Sequence, residues 1–95
     1  MDTDQAVLTQ VQALVPLIQA ASERADWPQA NTLLKQAFEQ LGERYQSPDV
    51  IDETGMRLVL ADAQERAGAW PAATSIRSRM LETRLQMLQR KLTGQ

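Results

Sequence analysis

The sequence contains no cysteine and no histidine. That excludes disulfide staples, thiolate nucleophiles, imidazole bases and nearly every zinc or haem site. Aromatic residues are scarce: two tryptophans, one tyrosine and one phenylalanine. The four glycines, Gly42, Gly55, Gly68 and Gly94, stand apart, so no glycine-rich loop is present to cradle a phosphate. Ser47, Ser75 and Ser78 have no base to activate them. Long apolar runs are missing too. The longest, Ala13 to Ile18, falls far short of a membrane span of roughly 20 residues. Charge of one sign is also lacking: 10 basic and 12 acidic residues interleave to a net charge of −2. Nucleic-acid binders concentrate Lys and Arg on one face. Here only Arg79, Arg84, Arg90 and Lys91 gather, near the end of the chain. Neither a nucleic acid nor a membrane is therefore the expected partner. The opening Met1-Asp2-Thr3-Asp4 is acidic where a signal peptide would be basic, so a cytoplasmic protein is expected.

Strand-forming residues are thin, while Ala, Leu, Gln, Glu and Arg dominate, and these are good helix formers. Apolar residues recur at threes and fours, the spacing of a helix face. The chain thus reads as one all-α domain of four helices. The first is expected over about Asp4 to Arg24, with Pro16 inside it imposing a kink or a break. The second is expected over about Trp27 to Tyr45, capped by Asp26, with Pro28 in its first turn and Gly42 loosening its last. Ser47-Pro48-Asp49 announces a third, running to about Ala67 with Gly55 as its weak point and Gly68 as its stop. The fourth is expected over about Trp70 to Leu92, with Arg90 and Lys91 at its negative end. Short connections make sequential helices antiparallel, giving two hairpins.

Two segments echo each other. Glu23-Arg24-Ala25-Asp26-Trp27-Pro28-Gln29-Ala30 matches Glu65-Arg66-Ala67-Gly68-Ala69-Trp70-Pro71-Ala72-Ala73, and the two tryptophans lie 43 residues apart. Gly68-Ala69-Trp70-Pro71-Ala72-Ala73 resembles the turn and second helix of tetratricopeptide repeats. Leu34, Ala37 and Phe38 follow the first tryptophan in the same way, and Leu14, Leu17, Ile18, Leu60 and Ala61 suit the first helices. The match departs at its period, longer than the usual 34 or so, at Arg77, where a bulky apolar residue is expected, and in having only two units. The architecture is therefore a pair of hairpins of tetratricopeptide-like type or a plain four-helix bundle. The resemblance implies a concave groove lined by the first helices. Gln12, Gln19 and Glu23 would face it from one unit, Leu58, Asp62 and Glu65 from the other.

Trp27 and Trp70 suit partner anchors, but their repeated place after a turn favours core packing. Asp49, Asp52 and Glu53 cluster, yet as acids in a first helical turn they serve the dipole, and no glycine-centred calcium loop surrounds them. No metal, cofactor or catalytic residue is expected. The fourth helix is more telling. Leu81, Leu85, Leu88 and Leu92 form an a/d-type seam, widened by Met80 and Met87. That helix should span roughly 35 Å, against about 20 Å for the part of the third after Gly55. Its last turns would then overhang as an exposed apolar stripe, unless the first helix covers them. The expected function is a non-enzymatic adaptor or chaperone-like module. It would bind an amphipathic segment of another protein, in the size and class range of bacterial secretion and flagellar export chaperones. The alternative is a structural subunit that forms a homodimer through the fourth helix.

Overall fold

The Thr3 hydroxyl accepts from Ala6 N at 3.1 Å and Asp4 puts a carboxylate in the first turn, so the chain enters a helix at once. In the computed structural model, which describes residues 3–42 and 55–94, that helix is α1 (Asp4–Glu23). It is followed by α2 (Trp27–Leu41), α3 (Met56–Arg66) and α4 (Trp70–Thr93). No strand occurs among the described residues. The expected helix start at Ser47-Pro48-Asp49, the acidic cluster and the extension of α2 to Tyr45 lie outside them.

Pro16 does not break α1, which runs through it as one helix. A mid-helix proline forfeits a bond to the carbonyl four residues back, here Gln12. Both residues are exposed, so water can satisfy that carbonyl. Gly42 does more than loosen α2: with φ at +64° it ends the helix, and its N–H bonds to Phe38 O.

The two hairpins are copies in detail. α1 and α3 end 43 residues apart, and α2 and α4 begin 43 apart. Asp26 N bonds Ala21 O and Ala69 N bonds Gln64 O, each at 2.8 Å. Ala25 N to Ser22 O and Gly68 N to Glu65 O are each 3.0 Å. The turn needs a left-handed residue. Gly68 supplies it in one hairpin (φ +83°) and Ala25 in the other (φ +57°). The Glu-Arg-Ala triplets are thus one residue out of register, while the turns themselves match. Burial repeats as well: Ile18, Ala30, Asn31, Leu34, Ala37 and Leu41 are buried, and so are Ala61, Ala73, Thr74, Arg77, Met80 and Arg84.

The hairpins meet through α2 and α4. Asn31 and Thr74, equivalent in the two copies, bond to each other at 2.8 Å. Each also bonds back to the carbonyl of its own tryptophan, Trp27 or Trp70, at 2.8 Å. Contact between equivalent residues is the mark of a two-fold relation, here an approximate axis between α2 and α4. α1 packs on α2 and α4, and α3 packs on α4; α1 and α3 do not form a packed pair among the described residues.

The core brings Val7, Leu8, Val11 and Ile18 of α1 against Leu33, Leu34, Ala37 and Leu41 of α2 and Leu81 and Leu88 of α4. α4, 24 residues long, outruns the 11 residues of α3 as expected, but α1 covers the excess. Lys91 Nζ to Asp4 Oδ2, 3.0 Å, ties the end of α4 to the start of α1. The exposed stripe is therefore corrected at Leu81, Leu88 and Met80, which are buried. Withdrawing two buried leucines costs about 3–6 kcal/mol, a large part of the 5–15 kcal/mol that holds a domain together. Leu85 and Met87 are half-buried, and only Leu92 stands exposed. Trp27 and Trp70 are half-buried at their helix starts.

Candidate functional site

The two-fold relation creates two equivalent grooves, and their linings differ. The first lies between α1 and α4, with a volume of about 670 Å³. Val15, Pro16 and Ile18 of α1, Leu34 of α2, and Leu81 and Leu85 of α4 give it an apolar floor. Gln12 and Gln19 edge it on one side, and Ser78, Glu82, Gln86 and Gln89 on the other. Helical spacing puts 12, 15/16 and 19 on one face of α1, and 78, 81/82, 85 and 89 on one face of α4. No cation lines it. Its volume falls in the range of ligand-sized clefts.

The second groove, about 500 Å³, is lined by Lys35, Phe38, Leu58, Asp62, Glu65, Arg66 and Arg77. Counting 43 residues across, Leu58 stands where Val15 does, Asp62 for Gln19, Arg77 for Leu34, Lys35 for Ser78, and Phe38 for Leu81. The difference is chemical. Arg77 is only 2% exposed, yet it is an arginine at the place where the other hairpin keeps a leucine. Its Nη1 donates to Asn31 Oδ1 (2.6 Å) and Glu65 Oε1 (2.7 Å), and its Nη2 to Asp62 Oδ1 (2.6 Å). Lys35 Nζ reaches Glu65 Oε2 at 3.1 Å. A buried guanidinium is tolerable only when its donors are met by acceptors, as here. Hydrogen bonding from Arg77 holds the Glu65 carboxyl below its ordinary value. Partial burial pushes the other way, and Lys35 reinforces Arg77.

The single concave surface expected from the resemblance is thus divided, because α1 and α3 flank a central α2/α4 pair. Gln12 and Gln19 line the first groove, joined there by Leu81 and Leu85 from the leucine seam. Leu58, Asp62 and Glu65 line the second, where both carboxylates are engaged by Arg77. Glu23 is exposed and lines neither groove, and neither do Met80, Met87, Leu88 and Leu92. The sequence reading does not anticipate Ser78, Glu82, Gln86 and Gln89 as groove residues, and it considers Ser78 only as an unactivated hydroxyl. Their signal was a spacing of threes and fours on the face of α4 beside the leucines. It noted Arg77 only as an anomaly.

Other chemistry gathers little support. Among the described residues no group of three or more acidic side chains converges as a metal site, and no helix is long and apolar enough to cross a membrane. In the basic cluster, Arg84 is buried with its Cζ 5.0 Å from the centre of the Phe38 ring, and Lys91 pairs with Asp4. On α3 an outer stripe of Met56, Val59 and Leu60 is exposed. No protein-family model matches the chain, and no curated protein or solved structure matches it either.

Proposed function

We propose that this chain is a non-enzymatic protein-interaction module, of adaptor or chaperone-like character, that receives an amphipathic helix of a partner in the groove between α1 and α4. One observation carries the reading: between polar edges, Val15, Pro16 and Leu85 lie partly or fully exposed above buried Ile18, Leu34 and Leu81 of the core. Helix-in-groove recognition uses this combination, with apolar anchors at i, i+3, i+4 and i+7 entering the floor and the rim meeting the polar flanks. The tetratricopeptide-like assignment and a cytoplasmic setting belong to the same proposal. The sequence echo of Trp-Pro-x-Ala at Trp27 and Trp70 supports the first, and the composition supports the second. Homodimerisation through α4 is the weaker alternative, since Leu81 and Leu88 would have to leave α1 to make it.

Site-specific photo-crosslinking in the native host tests the reading. A photoreactive residue at Gln86, on the groove edge, should capture a distinct second protein. The same residue at exposed Glu39 on α2 should not. Equal capture from both positions, or capture of this chain alone from Gln86, would refute it.

A further inference from the structure

The two outer helices, α1 and α3, take equivalent places but are held by different chemistry. Over their last turns they correspond residue for residue. There α1 buries Ile18 and Ala21, while α3 buries Ala61 and leaves Gln64 half-buried. On the central helices Leu34 is buried within the apolar core, whereas Arg77, its equivalent, is buried and bonded to Asp62 and Glu65 of α3. Among the described residues the core cluster draws on α1, α2 and α4 and on no side chain of α3. α1 packs on both central helices. α3 packs on α4 and crosses to α2 by the Lys35–Glu65 pair, beside a cavity of about 500 Å³. Its outward Met56, Val59 and Leu60 are exposed. α3 has 11 residues, and Gly55 at its entry supplies no side-chain cap. Helices shorter than about 12–15 residues are marginal in water unaided, so α3 depends on what it touches. Foremost among those contacts are the charge-assisted hydrogen bonds from Arg77.

We infer that α3 is a separable helix, clasped by Arg77, which lifts from α4 as a unit while α1, α2 and α4 stay folded around their common core. The balance of costs favours this opening over any other. Lifting α3 returns Asp62, Glu65, Lys35 and Arg77 to water, and the hydration they regain offsets much of the lost pairing. On α3 itself the one fully buried side chain to be uncovered is Ala61. Lifting α1 would strip Val7, Leu8, Val11 and Ile18 from the core, a loss of apolar burial that no hydration offsets. Sub-global opening takes first the element with the fewest buried apolar side chains. The open form presents the Arg77 guanidinium, which is sealed in the closed form, so the opening switches the charge displayed on this face of α4. The device stands apart from the binding reading above, because the α1/α4 groove keeps both of its walls when α3 lifts.

Native-state amide hydrogen exchange on the full-length protein, read by nuclear magnetic resonance at rising sub-denaturing urea, tests the inference. The backbone amides of residues 60–66 should share one opening. Their protection should be at least about tenfold lower than that of the slowest amides in α1, α2 and α4. Glu65→Gln weakens the clasp while keeping the side chain's shape. It should speed exchange across all of α3 by about tenfold more and leave the slowest amides of α1 unchanged. Asp62→Asn carries the same expectation with a smaller effect, since that carboxylate is the more exposed of the two. Glu23→Gln, at the exposed end of α1, should not move α3 at all. Two results would overturn the inference. One is α3 amides as protected as those of α1, with the same response to urea, which would mean that the helices open only together. The other is low protection in α3 that neither Glu65→Gln nor Asp62→Asn alters, which would mean that Arg77 does not hold the helix.

Discussion

Removing Arg77 is the sharpest perturbation the structure offers. Arg77→Ala leaves Asn31 Oδ1, buried and bonded at 2.6 Å, without its donor. An orphaned buried acceptor costs about 1–3 kcal/mol. Beyond the Cβ that alanine keeps, the aliphatic stem loses two buried methylenes, about 1.6 kcal/mol together. The carboxylates contribute less. Asp62 is 56% exposed and simply rehydrates, so its pair is worth about 0–1 kcal/mol, and Glu65 keeps Lys35. The sum is about 4 kcal/mol, in line with breaking a buried ion pair. In a chain of this length that lowers the melting temperature by roughly 15–30 °C. Arg77→Leu restores the residue of the other hairpin and with it the apolar packing, so only the acceptor is lost, about 1–2 kcal/mol. Urea and thermal denaturation followed by circular dichroism give both values. If Arg77→Ala costs less than about 1 kcal/mol, like an ordinary surface change, the guanidinium is solvated and the buried polar cluster around it does not exist.

Further outcomes follow from single features. Glu65, with its pKa held below the ordinary 4.5 by Arg77, contributes stability that is complete above that value and lost as pH falls toward the depressed one. Stability should therefore drop below about pH 4.5 more steeply in the wild type than in Glu65→Gln, and parallel curves would refute the pairing. Ala25→Gly relieves a left-handed non-glycine residue and should raise stability by about 0.5–1 kcal/mol, while Gly68→Ala, the same position in the other hairpin, should lower it by about 1 kcal/mol. Changes of the same sign in calorimetry would contradict the matched turns. Leu88→Ala, at a fully buried core position, should cost about 2–5 kcal/mol; a loss under about 0.5 kcal/mol would mean that α1 does not cover α4.

The helices, their order and the duplication are legible because each rests on local rules. Trp-Pro after a capping residue starts α2, glycine ends it, and 43 residues later the same turn recurs. The length mismatch between α3 and α4 is also visible in the sequence. What covers the overhang is not, since apolar spacing shows which side chains need burial and not which helix supplies it. Leu81 and Leu88 went to α1 by tertiary packing alone. The groove was legible only in halves. Gln12 and Gln19 were placed on one surface and Leu81 and Leu85 on another; the α2/α4 pairing brings them together. Arg77 broke the apolar pattern at a repeat position, and nothing local announces that a buried polar cluster from three helices will accept it.

Methyl-labelled protein bound to its crosslinked and purified partner provides the most direct measurement. The account predicts intermolecular nuclear Overhauser contacts from the partner to Val15, Ile18, Leu81 and Leu85, and none to Met56, Val59 or Leu60 on the outer face of α3. Contacts confined to α3, with the α1/α4 methyls silent, would contradict it.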